Sequence, residues 1–278
     1  MKRISFLLVL LVSFSFGDVT LLKNKVSNGR CFLLKSDTSG YVAFSGKRYK
    51  FFPTILDKSY AYYAIVPVNY YTKPHSDKLV AVTFEDGNKR YKTFKVKIIY
   101  GGYKSEKLRV NPKKAHFSKK AKIRISREYK EANKIYNTIT PDAFWNKPFI
   151  YPMTTKITSK FGTKRLFNGS LKSYHSGTDF RAKTGTPIVS ANDGQVVLVK
   201  KRFFAGNSVL VNYGQGIYLG YYHMSRFKVK KGDFVKQGDV LGLSGATGRV
   251  TGPHLHLSAK VWGVQVDPMQ LIELLNQI

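Results

Sequence analysis

Four of the six histidines fall in the C-terminal half of the chain, at His175, His223, His254 and His256, and Asp179 follows the first of them by four residues. In His254-Leu255-His256, read as a β-strand, both imidazoles project to one side about 7 Å apart, because successive side chains alternate faces. One of them can bind a metal while the other faces the space beside it. In Tyr174-His175-Ser176-Gly177-Thr178-Asp179 a glycine lies between imidazole and carboxylate, so two ligands can enter and leave one turn. Zinc takes such donors at about 2.0–2.2 Å, and hydrolytic sites keep one position for water. Two histidines, one aspartate and a water make four-coordination. The chemistry that follows is hydrolysis by a water whose pKa zinc lowers to about 7. His223, in Tyr221-Tyr222-His223-Met224-Ser225, is the fourth imidazole of the group. His75 in a turn and His116 in a polar stretch have no such neighbours.

The elements that must position these residues are nearly all β. From Phe149 onwards glycine is frequent and short apolar runs suggest strands at Pro187–Ala191, Gln195–Lys201, Ser208–Tyr213, Ile217–His223 and His254–Val261. Asn192-Asp193-Gly194 reads as a hairpin between the first two. Gly232-Asp233 and Gly238-Asp239 suit turns in a compact barrel or sandwich, and Pro268–Gln277 reads as a closing helix. Residues 18–104 show regular strand spacing, with strands at Gly40–Phe44, Tyr60–Val66, Leu79–Phe84 and Lys92–Tyr100. A turn at Asp86-Gly87-Asn88 separates the last two, and an antiparallel β-sandwich is expected there. Residues 105–148 read as a basic linker. A helix is predicted over Ile125–Thr138 with Ser126 as its N-cap, and a second short one from Thr140-Pro141.

The chain has 278 residues, room for two domains, and 43% of them are hydrophobic, which is ample for packed cores. Its single cysteine, Cys31, excludes an intramolecular disulfide framework and any multi-cysteine zinc or iron–sulfur site. No stretch reaches the ~20 apolar residues that span a bilayer. Met1-Lys2-Arg3, the apolar run Ile4–Phe16 and small residues ahead of Asp18 predict a secretory signal peptide over residues 1–17. The formal charge of +31 favours polyanionic surroundings. After export those are the cell wall and anionic membrane surfaces, not nucleic acid.

His175-x-x-x-Asp179, Tyr222-His223-Met224-Ser225 and Thr247-Gly248-x-x-x-Gly252-Pro253-His254-Leu255-His256 resemble the three signature blocks of the LytM/lysostaphin-type zinc metallopeptidases. Ser159-Lys160-Phe161-Gly162, Gly185-Thr186-Pro187 and Gly232-Asp233-x-Val235 agree, and the likeness runs over about residues 149–269. It implies a LytM-type β-sheet and hybrid-barrel domain over residues 149–278 that holds one zinc ion per chain. By position, His175, Asp179 and His256 inherit the part of zinc ligands, and His223 and His254 the catalytic part. The upstream region is similar to the Ig-like domain of some bacterial members. The resemblance further implies a periplasmic D,D-endopeptidase, or carboxypeptidase, acting on peptidoglycan peptides. Met224 in place of leucine, and Leu219-Gly220 in place of a polar pair, are departures that touch no ligand position.

Three rival readings are weaker. A non-catalytic regulator of another wall hydrolase loses metal ligands, and here all are filled. A polyanion-binding module does not explain the histidines or the leader. A lipoyl or biotinyl carrier needs a lysine at the tip of a recognisable hairpin.

Overall fold

The computed structural model describes residues 18–108, 117–167 and 170–278. The expected signal peptide and His116 lie outside the described residues. The chain is mostly β, with two helices among the described residues, α1 at Lys119–Tyr136 and α2 at Pro268–Leu275.

The C-terminal half is organised on a long sheet. Its strand order is Ile157–Ser159, Gly177–Arg181, His254–Val261, Ile217–Met224, Gly206–Gly214, Gly194–Arg202 and Phe234–Val235, with Val264–Val266 as a branch on His254–Val261. All these pairings are antiparallel. One face of the sheet is apolar: Phe180, Leu255, Leu257, Leu219, Tyr221, Val209 and Val211 enter one core. The opposite face carries Asp179, His254 and His256, and at its far end α1 packs Ala132 and Tyr136 on Leu198, Leu210 and Tyr218. Alternation along each strand separates the two roles.

Asn192-Asp193-Gly194 does not close a hairpin. Pro187–Val189 pairs with Val240–Leu243, whereas Gly194–Arg202 pairs with Gly206–Gly214. The tripeptide is a crossover between sheets. Asn192 is fully buried and donates to the Lys147 carbonyl (2.7 Å), and Asp193 accepts the Gln237 amide (2.7 Å). Long-range partners, not turn propensity, set its path.

The N-terminal strands form two sheets, one of four strands and one of five, around a second apolar core. Its long hairpin turns at Asp86-Gly87, both with positive φ (48° and 78°), as a two-residue primed turn requires. The arrangement is not wholly antiparallel, since Lys25–Ser27 runs parallel to Asn88–Ile99. Cys31–Ser36 and Tyr62–Pro67 pair at the centre of the smaller sheet. Phe32, Leu34, Ala64 and Val66 face the N-terminal core, while Cys31, Leu33, Tyr63 and Ile65 join the C-terminal one. This sheet is therefore a layer common to both cores. Asp267 reaches Arg30 (3.3 Å), Gln270 bonds both backbone groups of Cys31 (3.1 Å each), and Trp262 stacks on Phe52 (6.0 Å).

The connection also differs from expectation. Ser105–Leu108 is a strand lying parallel to Lys164–Phe167. α1 begins at Lys119, two turns before Ser126, because Ser118 caps it by accepting the Ala121 amide (3.2 Å). Lys119 and Lys120, which fall in the predicted linker, are its first, solvated residues. Thr140-Pro141 starts no helix. The Thr140 carbonyl accepts from Gln215 (2.7 Å) and Ala143 bridges Gly214, which holds this stretch extended along the sheet.

Candidate metal centre

Register builds the site. Asp179 lies opposite His256 across one strand pair, and His256 lies opposite Tyr222 across the next. His254 shares the face of His256 two residues away. His175 precedes the strand Gly177–Arg181 and is fixed by its backbone, whose amide donates to Thr163 (2.9 Å) and whose carbonyl accepts from Gly162 (2.8 Å). Between His175 and Asp179, Gly177 has no replacement. A Cβ there would collide with the Leu257 carbonyl and the His256 ring.

His175 Nε2, Asp179 Oδ1 and His256 Nδ1 converge on one point. Nitrogen to nitrogen is 3.0 Å, His175 to the carboxylate 3.0 Å, and His256 to the carboxylate 2.8 Å. Donors in a tetrahedral zinc shell stand about 3.3 Å apart, so a few tenths of an ångström of expansion admits the ion. The donor chemistry fits as well. His175 Nδ1 donates to the Lys160 carbonyl (3.0 Å), which makes Nε2 the ring atom turned to the cluster, 3.0 Å from His256 Nδ1. Two ring nitrogens and a carboxylate buried together call for a cation among them.

Electrostatics point the same way. Burial pushes the Asp179 carboxyl up, but the His175 and His256 imidazoles packed against it outweigh that and hold the group well below the usual carboxylate range. Burial pushes His256 down, which favours the neutral imidazole that a metal needs.

His223 and His254 stand beside this trio, their rings 4.9 Å apart. His223 Nδ1 donates to the Thr247 carbonyl (2.9 Å) and His254 Nδ1 to the Gly252 carbonyl (2.9 Å), which leaves Nε2 of each ring as the atom free to exchange a proton. His254 Nε2 is 3.7 Å from Asp179 Oδ1. Burial lowers His223 to about 4, against the opposing pull of the Thr247 carbonyl. His223 also has a left-handed backbone, φ 64°, at a break in register with Gly206–Gly214. Strain of this kind re-aims a side chain out of its strand's alternation.

All five sequence-predicted residues thus meet at one end of the sheet. His75 stands apart, exposed on the N-terminal hairpin next to Asp77. Two further residues take a part at the site that the sequence reading did not give them. Tyr222 stacks on His256 (5.5 Å, 10°) and its hydroxyl pairs with that of Tyr136 from α1 (2.9 Å). Tyr174 stacks on Tyr70 of the N-terminal region (3.6 Å, 8°), bracing the segment that presents His175.

Comparison with known proteins places this geometry. Residues 173–268 match Peptidase family M23, and all five residues lie within the match. The Vibrio cholerae peptidoglycan DD-endopeptidase ShyA is 42% identical over 123 residues, 43% of this chain and 29% of ShyA. The Neisseria meningitidis DD-carboxypeptidase/endopeptidase Mpg is 34% identical over 45% of this chain and 28% of Mpg. The chain spans less than a third of the length of these relatives. A crystal structure from Pseudomonas aeruginosa assigned to peptidase M23 superposes with a TM-score of 0.68 at 27% identity. It covers 88% of this chain and 94% of that one, so the likeness takes in the N-terminal sheets too.

Proposed function

The C-terminal domain is a peptidase family M23 domain, and from that premise we propose that the protein is a zinc-dependent peptidase that cuts peptide cross-links of peptidoglycan. The observation that carries this reading is the convergence of His175, Asp179 and His256 within 3.0 Å of one another, with two further imidazoles alongside.

Zinc bound by the trio supplies a Lewis acid and a water of lowered pKa. His175, Asp179 and His256 hold the ion, and the Lys160 carbonyl keeps the His175 proton on Nδ1. His223 and His254 divide the proton work. One accepts the proton of the attacking water and passes it to the leaving amine, a contribution of roughly 10²–10⁴-fold. The other, having taken a proton from solvent at Nε2, would donate a hydrogen bond to the oxyanion of the tetrahedral intermediate. The Thr247 and Gly252 carbonyls engage Nδ1 of both rings and leave Nε2 for these exchanges.

The names of the relatives, DD-endopeptidase and DD-carboxypeptidase/endopeptidase, favour D-alanyl–diaminopimelate cross-links, with stem-peptide trimming as a second activity. The signal-peptide pattern of residues 1–17 and the charge of +31 fit export into the anionic wall of a Gram-negative periplasm. No helix among the described residues is long and apolar enough to cross a membrane. In this reading residues 149–278 are the catalytic unit and 18–104 an Ig-like sandwich fastened to it through 105–148.

The test is elemental analysis of the purified chain together with mass spectrometry of peptides released from purified peptidoglycan. One zinc per chain and release abolished by a chelator are expected. A zinc-loaded protein that releases nothing, yet stimulates another wall hydrolase, would establish the regulator reading instead.

A further inference from the structure

α1 covers only the far end of the sheet face that bears the metal site. Between this helix and the turn Arg202–Gly206 lies a cavity of about 580 Å³, bordered by Phe117, Lys122, Tyr129, Arg202, Phe204 and Ala205. Its wall is joined to the catalytic groups. The Ala205 carbonyl accepts the His223 amide (3.0 Å), and the Phe204 carbonyl accepts the Arg249 amide (2.9 Å) in the loop that orients His223.

Arg202 is the residue that gives this cavity a chemistry. Its guanidinium lies over the Tyr222 ring (6.0 Å), and Tyr222 stacks on His256 (5.5 Å). Those two steps put the charge no more than about three to four extended residues from the metal ligand. Among the described residues no carboxylate pairs with Arg202. Glu128, in the same cavity, is buried and already answered by Arg124 (2.8 Å) and the Phe203 amide (2.8 Å). The charge of Arg202 is felt nearby, where burial and that charge together lower Lys260 to about 8. A half-buried cation between aromatic walls favours a planar anion that accepts two parallel N–H bonds, and a carboxylate is that anion.

We propose that Arg202 determines specificity by binding a free carboxylate of the peptide substrate within about four residues of the scissile bond, in the cavity that α1 and Phe204 enclose. The inference rests on the peptidase reading and adds to it a demand for an acidic peptide. Tyr129 and Phe117 come from α1 and the residues before it, outside the matched segment 173–268.

The experiment uses the zinc-loaded full chain and two synthetic peptide dimers joined by a D-alanyl–diaminopimelate bond. One dimer has free carboxylates and the other has them converted to primary amides. A preference for the acid of about 10–100-fold in kcat/KM is expected, carried mainly by KM, in line with a charged hydrogen bond. Arg202→Gln should erase that preference while keeping zinc content and the rate on the amide, and Arg202→Lys should restore part of it. Equal cleavage of acid and amide by the unmodified chain overturns the inference without needing any variant, and leaves the peptidase reading standing. A retained preference in Arg202→Gln overturns it as well. Failure to cut either dimer removes the peptidase reading, and the inference with it.

Discussion

Two strands of this molecule obey the same alternation and put it to opposite uses. Along Cys31–Leu34 of the strand Cys31–Ser36, odd and even residues enter two different cores, so both faces there are apolar contact. In His254–Val261 only the odd residues do so, Leu255, Leu257, Ala259 and Val261. The even ones, His254, His256, Ser258 and Lys260, look the other way, where α1 covers part of the sheet and leaves the rest to polar chemistry. A sheet face becomes a site where the next layer is incomplete. Burial there keeps the proton affinity of His223 and His256 low, because so little water reaches them.

The largest effects are expected at the candidate ligands. His175→Ala should lose zinc and, with it, measurable peptide release, by elemental analysis and product mass spectrometry. His223→Ala should keep zinc at one per chain yet lose roughly 10²–10⁴-fold in turnover. A zinc-free His223→Ala protein would reverse the assignment of ligand and catalytic roles. At the strand shared by both cores, Leu33→Ala should cost about 2–5 kcal/mol in denaturant unfolding, because Leu33 is only 2% exposed and the cavity left behind has no room to collapse.

Proton affinity sharpens the contrast further. His223 has its folded pKa lowered to about 4 from 6.5, so between those values the unfolded chain binds the proton and the native chain does not. Metal-free protein should therefore be fully stabilised by this group above pH 6.5 and lose stability as pH falls towards 4, by up to about 3 kcal/mol. Asp179 adds to the slope only at the bottom of that window, where the unfolded carboxyl, with its ordinary value of 3.8, begins to take up a proton and the native one does not. Unfolding curves of the metal-free chain and of His223→Gln across pH 4–7 check this, and the variant should show the shallower slope.

How much of this was legible in the sequence depends on how local the cause was. Gly40–Phe44 and His254–Val261 carry their own period of two, and their observed bounds match the expected ones. The Asp86-Gly87 turn is likewise written in its own residues. Asn192–Gly194 misleads because the partners that bend it, Lys147 and Gln237, are some 45 residues away on either side. The donor types of the cluster are legible in residue type and spacing, whereas the choice of His256 over His254 as a ligand came from the family resemblance alone. Tyr222 and Tyr136 are not legible in this way, because what makes them matter is that α1 crosses the sheet at this point, and no pattern within either segment says so. The layer shared by the two cores was hidden for a similar reason. Cys31–Ser36 reads as one apolar run, and only the packing shows that its two faces serve different halves of the chain.

The smallest expected effect concerns that crossing. Tyr136→Phe removes one hydroxyl from the pair with Tyr222 and leaves the rings in place. The lost hydrogen bond is worth about 0.5–1.5 kcal/mol of stability. Zinc content should not change, because Tyr222 keeps its stack on His256 and its place in the register opposite that residue. Turnover should fall by no more than a few-fold. Tyr222→Ala should do more, since it removes the ring on which both His256 and Arg202 lie. If the two variants behave alike, the hydroxyl pair is what α1 contributes to the site. If only the second impairs zinc affinity, the stacked ring is the link, and α1 acts chiefly as the wall that keeps water from that face.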